Sequence, residues 1–371
     1  KSVRRKKSPA KRSAKRKSPA KKSVRRKKSP AKRKSPAKRS LPKKVMRGGS
    51  TTANPAFKKL YKMLKNVVEI NKHKGRDPSK PRHEEYQYLN LLRDLLEEGK
   101  LEEGRNGKTI RGVGAAMHFS LENGKIPILT TKKTAWKTCF KELLWFIRGD
   151  TDNKILNNQK VHIWDGNSTP EYMKSRGLEN YVEGDLGPLY GFQWRYFNAQ
   201  YSSCNEDYTG KGIDQLQLVI DDLKNPETRN SRRHIISAWN PCQMDKGVLP
   251  PCHILFQFIV TDNNKLSCLL YQRSIDTMCG LPFNIASYSA LTYIVAKICG
   301  LEPYEFIHYG GDCHLYDGHF EQAAEQITRE AYPFPSLEIL NKRDNINDYV
   351  IEDFKLHDYQ HHAPIKLQMV A

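Results

Sequence analysis

Residues 249–284 read LPPCHILFQFIVTDNNKLSCLLYQRSIDTMCGLPFN. Two runs rich in β-branched and aromatic residues, 252–261 and 265–274, predict neighbouring strands. Apolar periodicity over 285–299, closed by Gly300, predicts the helix that follows. Working outward, strand-like runs recur at 233–239 and 304–309, and helical periodicity at 135–148, 213–224 and 318–330. Tyr88, Leu91, Leu92 and Leu95 predict an amphipathic helix ending before Gly99, so sustained structure is expected from about His83. Strands and helices do not alternate as βαβ units. The expectation is therefore a mixed α/β sheet with surrounding helices rather than a doubly wound nucleotide fold.

The same stretch carries the chemistry. Cys252 follows Pro250-Pro251, a rigid turn that aims a thiol into a cleft, although a lone Cys in an apolar strand is more often a buried hydrophobe. Arg273, on the neighbouring strand, is placed to pair with the thiolate and lower its pKa. With Arg232, Arg233 and Ser274 it supplies forked donors suited to a phosphate dianion. Asn284 reads either as a ligand contact or as the cap of the next helix. These residues describe a nucleophilic thiol beside a phosphomonoester pocket and leave the substrate open. Gly107-Lys108-Thr109 mimics the end of a phosphate-binding loop, but Glu102 stands where that loop needs Gly, so a turn is expected. No HExxH or Cys/His ligand spacing predicts a metal.

Charge divides the chain. Of 371 residues, 63 are Lys or Arg and 40 are acidic. Residues 1–50 hold 24 of the basic residues and no acid, which leaves the remainder near neutrality. KSVRRKKSPAKR occurs at 1–12 and again at 22–33. Such a self-repelling segment with little to bury is expected to be disordered and to favour polyanions or nuclear targeting. Residues 51–83 read as a linker with a short helical pattern from Phe57 to Val67, and 84–371 as the catalytic domain. Eight cysteines without a CxxC pair suggest reduced thiols in an intracellular protein. No apolar run has the length of a membrane span.

Further motifs accompany this stretch: Thr130-Thr131-Lys132, Glu142-Leu143-Leu144-Trp145-Phe146, Ile163-Trp164-Asp165, Gly184 to Gly191, Ser231-Arg232-Arg233 and His314-Leu315-Tyr316. With Pro-Pro-Cys-His, Gln272-Arg273-Ser274 and Pro282 to Tyr288, this ordered set closely resembles the thymidylate synthases from about residue 84 to the end. The resemblance implies their fold, a sheet-to-sheet homodimer, and conversion of dUMP to dTMP with 5,10-methylenetetrahydrofolate as one-carbon and hydride donor. It also implies roles. Cys252 matches the nucleophile that adds to pyrimidine C6. Arg105, Arg273 and Ser274 match phosphate ligands, and Arg232 and Arg233 match arginines that reach the partner's site. Gln272 matches a dUMP-binding residue, Asn284 matches the residue that reads the uracil edge, and His314 and Tyr316 match ligands of the deoxyribose 3′-hydroxyl. Glu142 matches the carboxyl that handles protons, with Tyr190 and His253 in its network. Asp276 matches the pterin ligand, and Ile163, Trp164, Asn167, Gly280, Leu281 and Phe283 match the folate walls. Ala371 ends the tail that closes the site.

The chain departs from that pattern in places. The loop from Arg105 to Gly112 is one residue short, so Arg111 is expected to share the phosphate role. Cys279 stands where an apolar residue is commoner, and Gly318 replaces an Asn. Two alternatives accompany the leading reading: a pyrimidine nucleotide hydroxymethylase, which Asn284 disfavours for cytosine, and a nucleic-acid-tethered protein using the body as scaffold.

Overall fold

Tyr88, Leu89, Leu92, Leu95 and Leu96 recur at helical spacing and become the buried face of α1, Tyr86–Glu98. This is a computed structural model, and it describes residues 83–104, 107–262 and 264–368. The basic repeats, the 51–82 linker with its Phe57–Val67 pattern, Arg105 and residues 369–371 lie outside the described residues.

The chain runs from α1 into a hairpin, β1 (Lys100–Gly104) and β2 (Gly107–Ser120), then α2 (Trp136–Arg148), α3 (Tyr190–Tyr196) and α4 (Gln215–Lys224). It continues through β3 (Ile235–Ser237), β4 (His253–Thr261), β5 (Lys265–Asp276), α5 (Gly280–Cys299), β6 (Glu302–Tyr316) and α6 (Phe320–Gln326). A separate pair, β7 (Ser336–Ile339) and β8 (Phe354–His357), is antiparallel. The main sheet has the order β1-β2-β6-β5-β4-β3, with β5 and β6 parallel and the other pairs antiparallel. The mixed sheet matches the expectation.

Several boundaries moved. The helix expected from 285 begins at Gly280, so Asn284 is its fifth residue and not its cap. The region expected to be helical over 318–330 forms α6 only over Phe320–Gln326. Gly107 does turn the chain, at φ +113°, a conformation that suits Gly. The long β2 beyond it was not expected, because glycines and basic residues obscure its alternation.

One sheet face is packed by α5, a mostly apolar helix buried on nearly all sides, with Ser289 and Thr292 buried in it as well. Phe256, Phe258, Leu270 and Phe306 point to that side. The other face carries Ile235, Tyr271 and Tyr309, respectively 46%, 40% and 40% exposed. Tyr271 and Tyr309 are direct neighbours across the parallel β5–β6 pair.

Candidate active site

Cys252 is delivered by the Pro250-Pro251 turn to the residue before β4. Its carbonyl accepts from Arg273 N at 2.8 Å, which ties the turn to β5. The Arg273 side chain folds back on that turn: Nε donates to Pro251 O and Nη2 to Pro250 O, both at 2.8 Å. Nη2 lies 3.9 Å from Cys252 Sγ. Across the cleft, Tyr190 Oη accepts from Cys252 N at 3.0 Å.

Arg273 stands beside the thiol as the sequence suggested, but burial opposes it. Burial pushes the Cys252 pKa above its ordinary value; Arg273 and then Tyr190 pull it down without reversing the shift. Desolvation is the larger of the opposing effects.

Tyr190 opens α3 at φ +22°, unusual for a residue with a side chain. Gly191 beside it allows the close approach of α2: a Cβ there would lie 2.2 Å from Phe146 O. The Tyr190 ring stacks on His253 with centroids 3.9 Å apart. His253 Nδ1 is 2.7 Å from Tyr288 Oη. Burial, with His308 adding to it, drives His253 down to about 3, so it is a neutral hydrogen-bonding group.

Glu142 projects from α2, and Trp164 Nε1 donates to its Oε1 at 2.8 Å. Burial pushes its carboxyl up to about 7, against the pull of that hydrogen bond. A carboxyl near neutrality exchanges protons at working pH.

A cavity of about 440 Å³ gathers Cys252, Glu142, Tyr190, His253, Gln272, Ser274, Asp276 and Asn284 on its walls. Ile163, Trp164, Asn167, Gly280 and Phe283 line it too. Asn167 is buried and its Nδ2 has no partner among the described residues, a donor suited to a heterocyclic ligand. Arg273 and Ser274 border a neighbouring recess of about 310 Å³ with His314 and Tyr316.

Some expected residues stand elsewhere. Leu281 is fully buried and does not line the cavity: helix α5 turns it into the core. Arg111 is not a free anion donor, because Glu102 and Asp312 both bind its guanidinium. Arg232 and Arg233 are exposed and border neither recess. Arg105 and Ala371 are outside the described residues.

Sequence reading missed His308. It is buried, and its Nε2 lies 3.0 Å from Gln272 Oε1, while Gln272 Nε2 donates to Asn284 Oδ1 at 3.0 Å and to Ser274 O at 3.1 Å. The pairing of His308 with Leu270 on the parallel β5–β6 register puts it two residues from Gln272, but parallel registers carry no local sequence signal.

The thymidylate synthase family matches residues 86–371. A bifunctional dihydrofolate reductase-thymidylate synthase of Zea mays is 49% identical over 292 residues, covering 78% of this chain and 55% of that protein. The bifunctional protein of Leishmania major is 46% identical over 292 residues, with 78% and 56% covered. The thymidylate synthase of Saccharomyces cerevisiae is 48% identical over 297 residues, with 77% and 97% covered. The chain thus spans little more than half the length of the bifunctional relatives it matches. The match runs through every element that builds the cavity, and the chain belongs to the thymidylate synthase family.

Proposed function

We propose that this chain converts dUMP to dTMP, using 5,10-methylenetetrahydrofolate as one-carbon and hydride donor and releasing dihydrofolate. The observation that carries the reading is one cavity holding Cys252, flanked by Arg273 and Tyr190, together with a near-neutral carboxyl on Glu142. In this reading the Cys252 sulfur adds to C6 of the pyrimidine, which makes C5 a carbon nucleophile. Burial raises the Cys252 thiol and Arg273 lowers it, so in this reading the guanidinium is the group that favours the thiolate the addition needs. Glu142 moves protons at the ring, and Tyr190 and His253 keep the hydrogen-bond network neutral. Asn284 reads the uracil edge, donating from Nδ2 to O4, while Gln272 holds its Oδ1.

The phosphate falls to Arg273 and Ser274, with Arg105 and the partner subunit supplying the remaining cations. Arg232 and Arg233 take the latter role in a homodimer formed through the Tyr271–Tyr309 sheet face. His314, oriented by Asp312 Oδ1 at 2.9 Å from its Nδ1, and Tyr316 hold the deoxyribose. The folate takes the wall of Ile163, Trp164, Asn167, Gly280 and Phe283, with Asp276 on the pterin and Ala371 closing the tail.

Tritium release from 5-tritiated dUMP, dependent on methylenetetrahydrofolate and matched by dihydrofolate, tests the reading. Hydroxymethyl-dUMP with tetrahydrofolate instead, or no turnover by folded protein, would refute it. Residues 1–50 add, by charge alone, a polyanion-binding and nuclear-targeting segment. Deleting them is expected to leave turnover per site unchanged and to abolish salt-sensitive DNA retention; equal retention removes this role.

A further inference from the structure

Asp276, Cys279 and His319 each present one ligand atom within 4.8 Å of the others. Asp276 ends β5, Cys279 immediately precedes α5, and His319 lies in the turn between β6 and α6. The loop wraps the carboxylate: Asp276 Oδ1 accepts from Met278 N and Cys279 N, both at 3.0 Å. Cys279 is one of the residues read from the sequence as departing from the family pattern, and the reaction proposed above makes no use of it.

His319 supplies the independent observation. It is only 1% exposed, and its Nε2 lies 2.8 Å from Gln368 O. A carbonyl can only accept, so Nε2 carries the proton and Nδ1 the lone pair. Nδ1 is buried and has no partner among the described residues. A ring with one N–H on a backbone carbonyl and a free lone pair on the other nitrogen is the usual state of a metal-ligating histidine.

We propose that Asp276, Cys279 and His319 bind a thiophilic divalent cation of the zinc class, its fourth position open to the cavity. The donor set of one thiolate, one imidazole and one carboxylate suits zinc chemistry. Zinc bonds of about 2.0 to 2.3 Å imply donor separations of roughly 3.3 to 3.8 Å in a tetrahedral site, so closure by at most about 1 to 1.5 Å completes it. On binding, the S–H bond of Cys279 breaks, the proton leaves to solvent, and the sulfur keeps the electron pair and donates it to the cation. No oxidation state changes. Asp276 and Cys279 both line the cavity. Resting on the proposed reaction, in which Asp276 holds the pterin, the cation and the folate exclude each other. The site is inhibitory, and the reaction does not use the metal.

Titrating the full chain with Co²⁺ alone reads the site without turnover. The expected result is one equivalent bound, with a thiolate-to-cobalt charge-transfer band and the intense visible bands of tetrahedral cobalt, both displaced by Zn²⁺. Cys279→Ser and His319→Gln are each expected to weaken binding at least ~100-fold, while Cys252→Ser retains the spectrum. Thermal unfolding checks each variant; if His319→Gln does not fold, Asp276→Asn replaces it. No band, a band lost with Cys252→Ser, or wild-type affinity after removal of the second ligand would overturn the site. Zn²⁺ is further expected to raise the apparent KM for methylenetetrahydrofolate without lowering kcat. Absence of dUMP turnover would sink the reaction alone, and absence of the cobalt spectrum would sink the metal site alone.

Discussion

His308 Nε2 and Gln272 Oε1 are 3.0 Å apart, and this contact decides which way the Gln272 amide faces. An amide oxygen only accepts, so His308 donates, and burial, which lowers its pKa to about 4, keeps it neutral. The Gln272 NH₂ must then point to Asn284 Oδ1, leaving Asn284 Nδ2 as the donor offered to the base. A donor there matches the uracil O4 and clashes with the cytosine amino group. His308→Leu removes the orienting donor and lets Gln272 turn over. Its dUMP KM should rise about 5- to 10-fold, the worth of one hydrogen bond near 1 kcal/mol. Preference for dUMP over dCMP, measured in competition, should fall by a similar factor. Unchanged preference would show that Asn284 is oriented by other groups.

Cys252→Ala deletes the proposed nucleophile but leaves Arg273, whose two bonds to Pro250 O and Pro251 O do not involve the thiol. Turnover should fall at least ~10⁴-fold, while dUMP affinity by calorimetry stays within a few-fold. A variant near full activity would remove the covalent step.

Glu142 links the site to stability. Its carboxyl titrates at about 7 in the folded chain against 4.5 for the ordinary group. Below about pH 4.5 both states hold the proton. Between 4.5 and 7 the unfolded chain loses it first, so stability falls as pH rises, by roughly 3 kcal/mol in full. Glu142→Gln has no such penalty. Its advantage in urea midpoint over the parent chain should therefore be small at pH 4.5 and largest above pH 7. A pH-independent gap would mean that Glu142 ionises normally.

Much of this was legible in the sequence, for identifiable reasons. Cys252, Arg273, Ser274 and Asn284 lie within 33 consecutive residues on a turn, two paired strands and the helix after them, so local pattern reached them, whereas the role of Asp276 came from resemblance. Glu142 and Trp164 meet only in the fold, and their roles came from resemblance. His308 and His319 were missed because β6 joins the site through a parallel pairing and the turn that follows it. Arg273 does lower the Cys252 thiol, as the sequence suggested, but sequence does not display the burial that outweighs it.

The sheet face opposite α5 offers a last test. Tyr271 and Tyr309 pair across β5 and β6, each 40% exposed, with Ile235 at 46% on β3. Three large apolar side chains on one flat face suit burial against a second copy. Tyr271→Glu places a carboxylate at the centre of that face, where each copy would meet its symmetry mate's charge. Sedimentation should show monomers at micromolar concentration, where the parent chain is expected to be a dimer. Because Arg232 and Arg233 border neither recess of their own chain, the monomer should also lose phosphate affinity. Its dUMP KM is expected to rise more than ~100-fold, partly reversed at high protein concentration. A monomeric variant with unimpaired dUMP binding would place the whole anion site within one subunit.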